Sequence, residues 1–276
     1  MKTIKDIIAL STEYLDKANV ESARVEAEWL ISHALDMRRM DLYLQFDKPL
    51  PETDLNIIRP LLARRAKGEP VQYICGSTEF YGLPFEVGPG VLIPRPETEL
   101  LVDKTLKYIS DGDKVLDLCT GSGAIAVSLA KNKNVSMTAT DICPEALAFA
   151  TRNAVKNDVE IEFLTGDLFE PVQGRKFKFI CSNPPYVCNK EAQTMGREVL
   201  EFEPRKALFA GDDGFDILRL IAQRAGDFLE DGGGLLCEIG SIQGLDCQQM
   251  FMEKGWRNVE VLQDYSRRDR FVLAFK

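Results

Sequence analysis

From residue 97 onward, short apolar runs alternate with helical patterns, and this alternation limits the possible folds more than any other feature of the chain. Val115 and Leu116 belong to a strand that leads into a glycine-rich turn and a helix over residues 124–130. Residues 135–140 predict a strand, and residues 144–157 a helix. Pro144 falls in that helix's first turn, where the missing N–H leaves no bond unmade. Strands follow over 161–164 and 177–181, a helix over 217–229, a strand over 235–239 after Gly233 and Gly234, and a helix over 244–252. Strands separated by helices pair in parallel, giving an α/β sheet covered on both faces. The last two runs, residues 259–262 and 271–275, are joined only by a short polar segment, residues 263–270. So short a connection forces an antiparallel pair at the sheet's edge.

The N-terminal third has a different texture. Residues 1–72 read as a small helical domain: Ile4, Ile7, Ile8, Tyr14 and Leu15 fit one face of a first helix. Val25, Trp29, Leu30 and Ala34 fit a second, and Leu55, Ile58, Leu61 and Leu62 a third. Residues 73–96, with Phe80-Tyr81-Gly82-Leu83-Pro84-Phe85 and Gly88-Pro89-Gly90, read as turns between short strands, a β-hairpin linker. Residues 97–276 form the larger α/β domain.

Composition narrows the function classes. At 45% hydrophobic and 28% charged over 276 residues, the chain is an ordinary globular one. No apolar run approaches the roughly 18 residues needed to span a bilayer. The start of the chain alternates charge and hydrophobe (Lys2, Ile4, Lys5, Asp6, Ile7, Ile8), which argues against a signal peptide. A cytoplasmic enzyme with no membrane partner is the expectation. The seven cysteines include no CxxC pair and read as reduced thiols. The single histidine, His33, reads as a helix residue at a packing interface, so neither a histidine triad nor a histidine-rich metal site is expected. The formal charge of −9 disfavours a direct nucleic-acid partner, which calls for a basic face.

Between the first strand of the larger domain and its helix lies Asp117-Leu118-Cys119-Thr120-Gly121-Ser122-Gly123. Its glycines let the backbone turn sharply and approach a ligand, and its amides sit at a helix N-terminus. Gly121-Ser122-Gly123-Ala124-Ile125-Ala126 also satisfies the GxGxxA dinucleotide fingerprint, so the glycines alone do not separate NAD from S-adenosylmethionine. Asp141, ending the second strand, suits both ribose hydroxyls in either case. Two details favour the methyl donor. Asp117 would repel a pyrophosphate but can orient water or an ammonium group. Asp167 is placed to bind an adenine amino group, with Leu168 against the ring. The terminal antiparallel hairpin agrees, since class I (Rossmann-like) methyltransferase sheets end that way and dehydrogenase sheets generally do not.

Asn183-Pro184-Pro185-Tyr186 follows the fourth strand, at the carboxyl edge where open α/β sheets bind ligands. Two successive prolines stiffen the backbone and donate nothing, leaving carbonyls free. The Asn183 side chain and the Pro184 carbonyl can then accept from one NH2 group. An amide nitrogen, or an amine on a nucleobase, gives its lone pair to the adjacent π system and is a poor nucleophile. Two acceptors on its hydrogens favour a pyramidal nitrogen, and Tyr186 offers an aromatic face to hold the planar group in line. Positioning and electrostatics carry such a transfer, with no metal.

Over nearly its whole length the chain resembles the HemK/PrmC family, the protein-(glutamine-N5) methyltransferases of peptide chain release factors. The resemblance is carried by Glu69-Pro70-Val71-Gln72-Tyr73-Ile74, by Leu92-Ile93-Pro94-Arg95-Pro96-Glu97-Thr98-Glu99, and by the two motifs above. Phe202-Glu203-Pro204, Ala207-Leu208 and Asp269-Arg270 extend it. It implies methyl transfer to the glutamine of the Gly-Gly-Gln loop of release factors, with the N-terminal domain gripping the factor. Carried over by position, Cys119, Thr120, Gly121, Ser122, Gly123, Asp141, Leu168 and Asn183 touch the cofactor, and Asn183, Pro184, Pro185 and Tyr186 hold the glutamine. Cys119 and Leu168 stand where other members carry glycine and tryptophan. Arg95 and Glu97 either line the mouth of the active site or form surface ion pairs.

Two other readings compete. An N6-adenine or N4-cytosine nucleic-acid methyltransferase would use the same Asn-Pro-Pro-Tyr geometry. It must also flip a base and track phosphates, against a negative formal charge and a small helical extra domain. A nicotinamide-dependent dehydrogenase fits the glycine loop but leaves residues 183–186 without a role.

Overall fold

Seven strands build the central sheet: β3 (Lys114–Leu118), β4 (Ser136–Asp141), β5 (Glu162–Thr165), β6 (Phe177–Ser182), β7 (Leu229–Glu238), β8 (Arg257–Gln263) and β9 (Asp269–Phe275). Their order is β5-β4-β3-β6-β7-β9-β8. The first five are parallel, while β9 runs antiparallel to both β7 and β8. This is the class I methyltransferase arrangement with its terminal hairpin. The computed structural model describes the backbone of residues 1–276 and every side chain except that of Thr194.

Side chains alternate across the sheet, as the two-residue repeat of a strand requires. Leu116, Leu118, Ile180, Leu235 and Cys237 share one core with α10 (Asp216–Arg224) and α11 (Gly244–Glu253). Val115, Phe179, Cys181 and Leu236 face the other core, with α6 (Glu99–Thr105) and α7 (Ala124–Asn132). The helix α8 (Pro144–Lys156) also reaches that second core through Ala154. By the same parity Asp117 and Glu238 project on the α6/α7 side.

The predicted helix over 217–229 is shorter than expected. The helix α10 ends at Arg224, a 3-10 turn spans Ala225–Phe228, and β7 starts at Leu229, well before Gly233. Gly234 sits within that strand because a Cβ there would lie 2.7 Å from the Phe179 ring.

The chain forms two units, one of Met1–Ser77 with Gly196–Phe202, the other of Thr78–Met195 with Glu203–Lys276. In the first, α1 (Ile4–Lys17), α2 (Ala23–Ala34), α3 (Arg39–Leu44), α4 (Glu52–Ala66) and α5 (Val71–Cys75) enclose a core of their own. A capping box between Thr3 and Asp6 starts α1. The packing face of α2 overlaps only in part with the predicted one: Leu30 is buried and Ala34 packs against the core as expected. Val25 and Trp29 are 40% and 38% exposed, whereas Ala23, Ala27, Leu30 and Ile31 are buried. Trp29, Leu30 and Ile31 point in three directions about 100° apart, so spacing alone did not choose between faces. The small pair Ala23 and Ala27 marks the face that packs. Tyr14 is 48% exposed, and His33 is likewise on the surface and not in a packing interface. The buried Glu28 accepts from the Tyr43 hydroxyl at 2.6 Å and from the exposed Arg24 at 3.1 Å. Arg65 pairs with Glu26 and, at 2.8 Å, with Glu198 of α9 (Arg197–Phe202).

In the second unit β1 (Ser77–Phe80) and β2 (Leu83–Glu86) form a two-stranded sheet. Two asparagines of the α8 region hold it: Asn153 Oδ1 accepts from the Glu86 amide at 2.6 Å, and Asn157 Nδ2 donates to the Pro84 carbonyl at 3.0 Å. Among the described residues no helix is long and apolar enough to cross a membrane.

Candidate active site

The strand order reverses between β3 and β6, which are parallel neighbours with β4 on one side and β7 on the other. Such a reversal opens a crevice at the carboxyl ends of the strands, because the following chain segments diverge to opposite faces. Leu118 and Ser182 are register partners at that edge. The residues after them, Cys119 and Asn183, therefore begin their loops side by side. The glycine loop and the Asn-Pro-Pro-Tyr turn, separated by about 60 residues of chain, are brought to one place by this single pairing.

The glycine loop is held on all sides. Cys119 has φ +58° and Gly121 φ +55°, both in the left-handed region. A side chain costs roughly 1 kcal/mol there, so Cys119 stores a little strain that a glycine would not. The Thr120 hydroxyl donates to Asp117 Oδ2 at 2.6 Å, and its amide donates to the Thr140 carbonyl at 3.0 Å. Asn153 Nδ2 donates to the Ser122 carbonyl at 2.9 Å. Gly123 has φ +80°, and a Cβ there would lie 3.0 Å from Ala150 Cβ, so its absence lets α7 pack closely on α8.

Three carboxylates approach this loop. Asp117 is wholly buried, and burial pushes its carboxyl up to about 7 against the opposing hydrogen bond from Thr120. Asp141, at the end of β4, accepts from the Gly121 amide at 2.8 Å and the Cys143 amide at 2.9 Å. Burial raises its pKa, and these amides counteract the rise. Asp167 is exposed, while Leu168 is buried in the core beside Phe169, with φ +45° and its carbonyl accepting from the Thr140 hydroxyl at 3.2 Å.

The turn after β6 places Asn183 half-buried and Pro184 buried. Asn183 Nδ2 donates to Thr98 Oγ1 at 3.1 Å. The Tyr186 hydroxyl donates to Glu238 Oε1 at 3.2 Å, and the Tyr186 carbonyl accepts from Gln243 Nε2 at 3.1 Å. Burial pushes the Tyr186 phenol well up, aided by the neighbouring Glu238. Arg95 donates to Glu203 Oε1 at 2.6 Å. Its counter-ion is thus the glutamate of Phe202-Glu203-Pro204, and that glutamate's side chain is only 2% exposed.

Sequence reasoning passed over Thr98, Asn153, Glu238 and Gln243, all of which hold these loops. Thr98 lay inside the quoted segment 92–99 without a role of its own, and Glu238 carried a local signal. It is an acid inside the apolar run Leu235-Leu236-Cys237-Glu238-Ile239, and a lone acid in a buried strand calls for partners.

The loop residues suit the adenosyl and methionyl parts of S-adenosylmethionine. A Cβ built on Gly121 would meet only Val91, at 3.9 Å, so the loop's surface there is open. Asp141 has two carboxylate oxygens with about four lone-pair sites between them, more than its backbone amides use, and a ribose diol supplies two hydroxyl donors. Among the described residues, no group of three or more His, Cys, Asp or Glu side chains could hold a metal ion.

Comparison with known proteins identifies the family. The PrmC N-terminal domain family matches residues 6–76 and the Methyltransferase small domain family residues 96–211. The chain is 42% identical to the release factor glutamine methyltransferase of Geobacter sulfurreducens, covering 98% of this chain and 95% of that one. The corresponding protein of Vibrio cholerae is 39% identical, with 99% and 96% covered. Among solved structures, a methyltransferase from Pyrococcus furiosus superposes with a TM-score of 0.55 at 21% identity, covering 71% of this chain and 90% of that one. A 16S rRNA N2 methyltransferase from T. thermophilus, solved with AdoMet and guanosine, also scores 0.55 at 20% identity, with 72% and 49% covered. At such identities these two establish the fold alone. With identity near 40% to full-length relatives and the fold in place, the chain is a methyltransferase and belongs to the release factor glutamine methyltransferase family.

Proposed function

We propose that this chain transfers a methyl group from S-adenosylmethionine to the side-chain amide nitrogen (N5) of the glutamine in the Gly-Gly-Gln motif of peptide chain release factors. The observation that carries the reading is the register pairing of Leu118 with Ser182, which sets the glycine loop against the Asn183 turn. Bound S-adenosylmethionine supplies an electrophilic methyl on a sulfonium. The residues 119–123 hold it with backbone groups, Asp141 takes the ribose hydroxyls, Asp167 the adenine amine, and Leu168 and Asn183 flank it.

Asn183 Oδ1 and the Pro184 carbonyl accept from the glutamine NH2. Each acceptor draws on an N–H bond and weakens conjugation of the nitrogen with its carbonyl, so the lone pair turns toward the methyl carbon. Pro185 stiffens the turn, and Tyr186 packs against the amide plane. The N–C bond forms as the C–S bond breaks, and the nitrogen sheds its proton to water. The enzyme's contribution is preorganised acceptors in a partly desolvated site. Residues 1–72 grip the factor, residues 73–96 link, and residues 97–276 catalyse. The site of action is the cytoplasm, with neither nucleic acid nor membrane contacted directly.

Support for the substrate comes from the family, whose Geobacter and Vibrio members are named for release factor glutamine methylation. The acceptor pair suits an NH2 conjugated to a π system, and the family separates the amide from a nucleobase amine. The test is labelled-methyl transfer by the purified chain to a release factor, to its Gly-Gly-Gln glutamine→alanine variant, and to DNA. Label in the first alone is expected. Equal label in the alanine variant, or label in DNA only, would overturn the assignment.

A further inference from the structure

The turn that presents Asn183 is backed by a hydrogen-bonded chain running to a single buried carboxylate. Glu238 is 1% exposed and Thr98 4%. The Thr98 hydroxyl donates to Glu238 Oε2 at 2.7 Å, and the Tyr186 hydroxyl donates to Glu238 Oε1 at 3.2 Å. An ionised carboxylate only accepts, so it takes both hydroxyl protons. With its proton so directed, Thr98 Oγ1 can only accept from its remaining neighbour. That neighbour is Asn183, whose Nδ2 lies 3.1 Å away. The carboxamide is therefore turned with its NH2 toward Thr98 and its oxygen toward the opposite side.

We propose that Thr98 and Glu238 are positioning residues that fix the sense of the Asn183 carboxamide, so that its oxygen and not its NH2 meets the substrate amide. This rests on the role given above to Asn183 as an acceptor. A flipped carboxamide would offer N–H to N–H, cancelling the pull on the substrate nitrogen. Oxygen and nitrogen of an amide differ little in size, so packing alone does not distinguish the two senses; a directional hydrogen-bond chain does. The fold makes the chain possible through strand parity. Glu238 projects on the α6 side of the sheet, and Thr98 is the residue immediately before α6.

Protonation of Glu238 would reverse the relay. A protonated Oε2 donates to Thr98, whose hydroxyl then turns its proton toward Asn183 and calls for the amide oxygen. Burial pushes Glu238 up to about 7; Thr98, Tyr186 and Arg270 favour its ionised form, while Glu97 opposes it. The relay is thus set correctly above neutrality and scrambled below it.

Two readouts on the full-length chain test the idea. First, Thr98→Val, which keeps the shape but removes the hydroxyl, lowers kcat on release factor at least tenfold with S-adenosylmethionine affinity within threefold, and Thr98→Ser recovers most of the loss. A Thr98→Val effect below tenfold, or Thr98→Ser as impaired as Thr98→Val with both melting like the parent, would overturn the relay. Second, the Asn183 side-chain 15NH2 resonances, assigned by their loss in Asn183→Ala, shift between pH 6 and 8 in the parent and stay fixed in Glu238→Gln. Resonances that do not move in the parent would overturn the pH reversal, and resonances that are the same in Thr98→Val as in the parent at pH 8 would overturn the relay without any reference to turnover. A parent that labels no release factor would instead contradict the proposed function, leaving the resonance measurement to decide the relay.

Discussion

At the scale of single residues, the site combines one motif visible in the sequence with supports that are not. Asn183 to Tyr186 stood out because two prolines after an asparagine at a strand end have few structural uses. The shared role of Thr98 and Glu238 did not, since the contact that gives it meaning spans 140 positions of chain. Asn183→Ala is expected to abolish methyl transfer while S-adenosylmethionine affinity changes by less than about tenfold, roughly 1.4 kcal/mol; equal loss of both, by calorimetry and turnover, would contradict the division of roles. Asp141→Ala should weaken cofactor binding by about 1–3 kcal/mol through lost charge-assisted bonds, and an unchanged calorimetric affinity would count against its ribose role. Asp117 supplies a pH signature. Its carboxyl is raised to about 7 in the fold from 3.8, so between those values the folded state holds more protons than the unfolded one. Stability from this group is therefore full at low pH and is lost as pH rises through 7. Asp117→Asn should remove about 2–3 kcal/mol of the decline between pH 5 and 8, measured by denaturant melts at each pH. Parallel pH profiles for parent and variant would refute the assignment.

At the scale of elements, the alternation of strands and helices announced the sheet, and the short polar 263–270 link announced its antiparallel edge. Strand parity and register were not available from periodicity, because both depend on which strands become neighbours. The face of α2 was only partly legible for a related reason: Trp29, Leu30 and Ile31 make its apolar arc wider than one face, and partners in α1 and α4 settle which part is buried. The α10 prediction ran too far because helical and strand periods overlap in Ile221-Ala222, Phe228-Leu229. Close packing of α7 on α8 gives a direct test. Gly123→Ala combines a strained φ of +80° with a Cβ 3.0 Å from Ala150 Cβ and 3.2 Å from its Cα. It should destabilise the chain by about 1–3 kcal/mol and weaken cofactor binding, because the loop must shift. Retention of both within error, by thermal melts and calorimetry, would show that the helix pair has slack.

At the scale of the whole molecule, a chain of formal charge −9 carries an amide-directed site and a separate helical unit. If that unit grips the release factor, KM for a whole factor should fall at least tenfold below KM for a short Gly-Gly-Gln peptide, with kcat similar; equal KM values would reject the gripping role. The full chain is the right material for this comparison, since Arg65 of α4 is bonded to Glu198 and truncation at residue 72 would leave that glutamate without it. The proposed chemistry rests on a stiff turn that aims two oxygen acceptors at an inert NH2. Its most direct test is a crystal structure of the chain with S-adenosylhomocysteine and a release factor. In that complex Asn183 Oδ1 and the Pro184 carbonyl should each lie about 2.8–3.2 Å from the glutamine nitrogen, with Asn183 Nδ2 still on Thr98. A glutamine held elsewhere, or an Asn183 oxygen facing Thr98 in that complex, would contradict it.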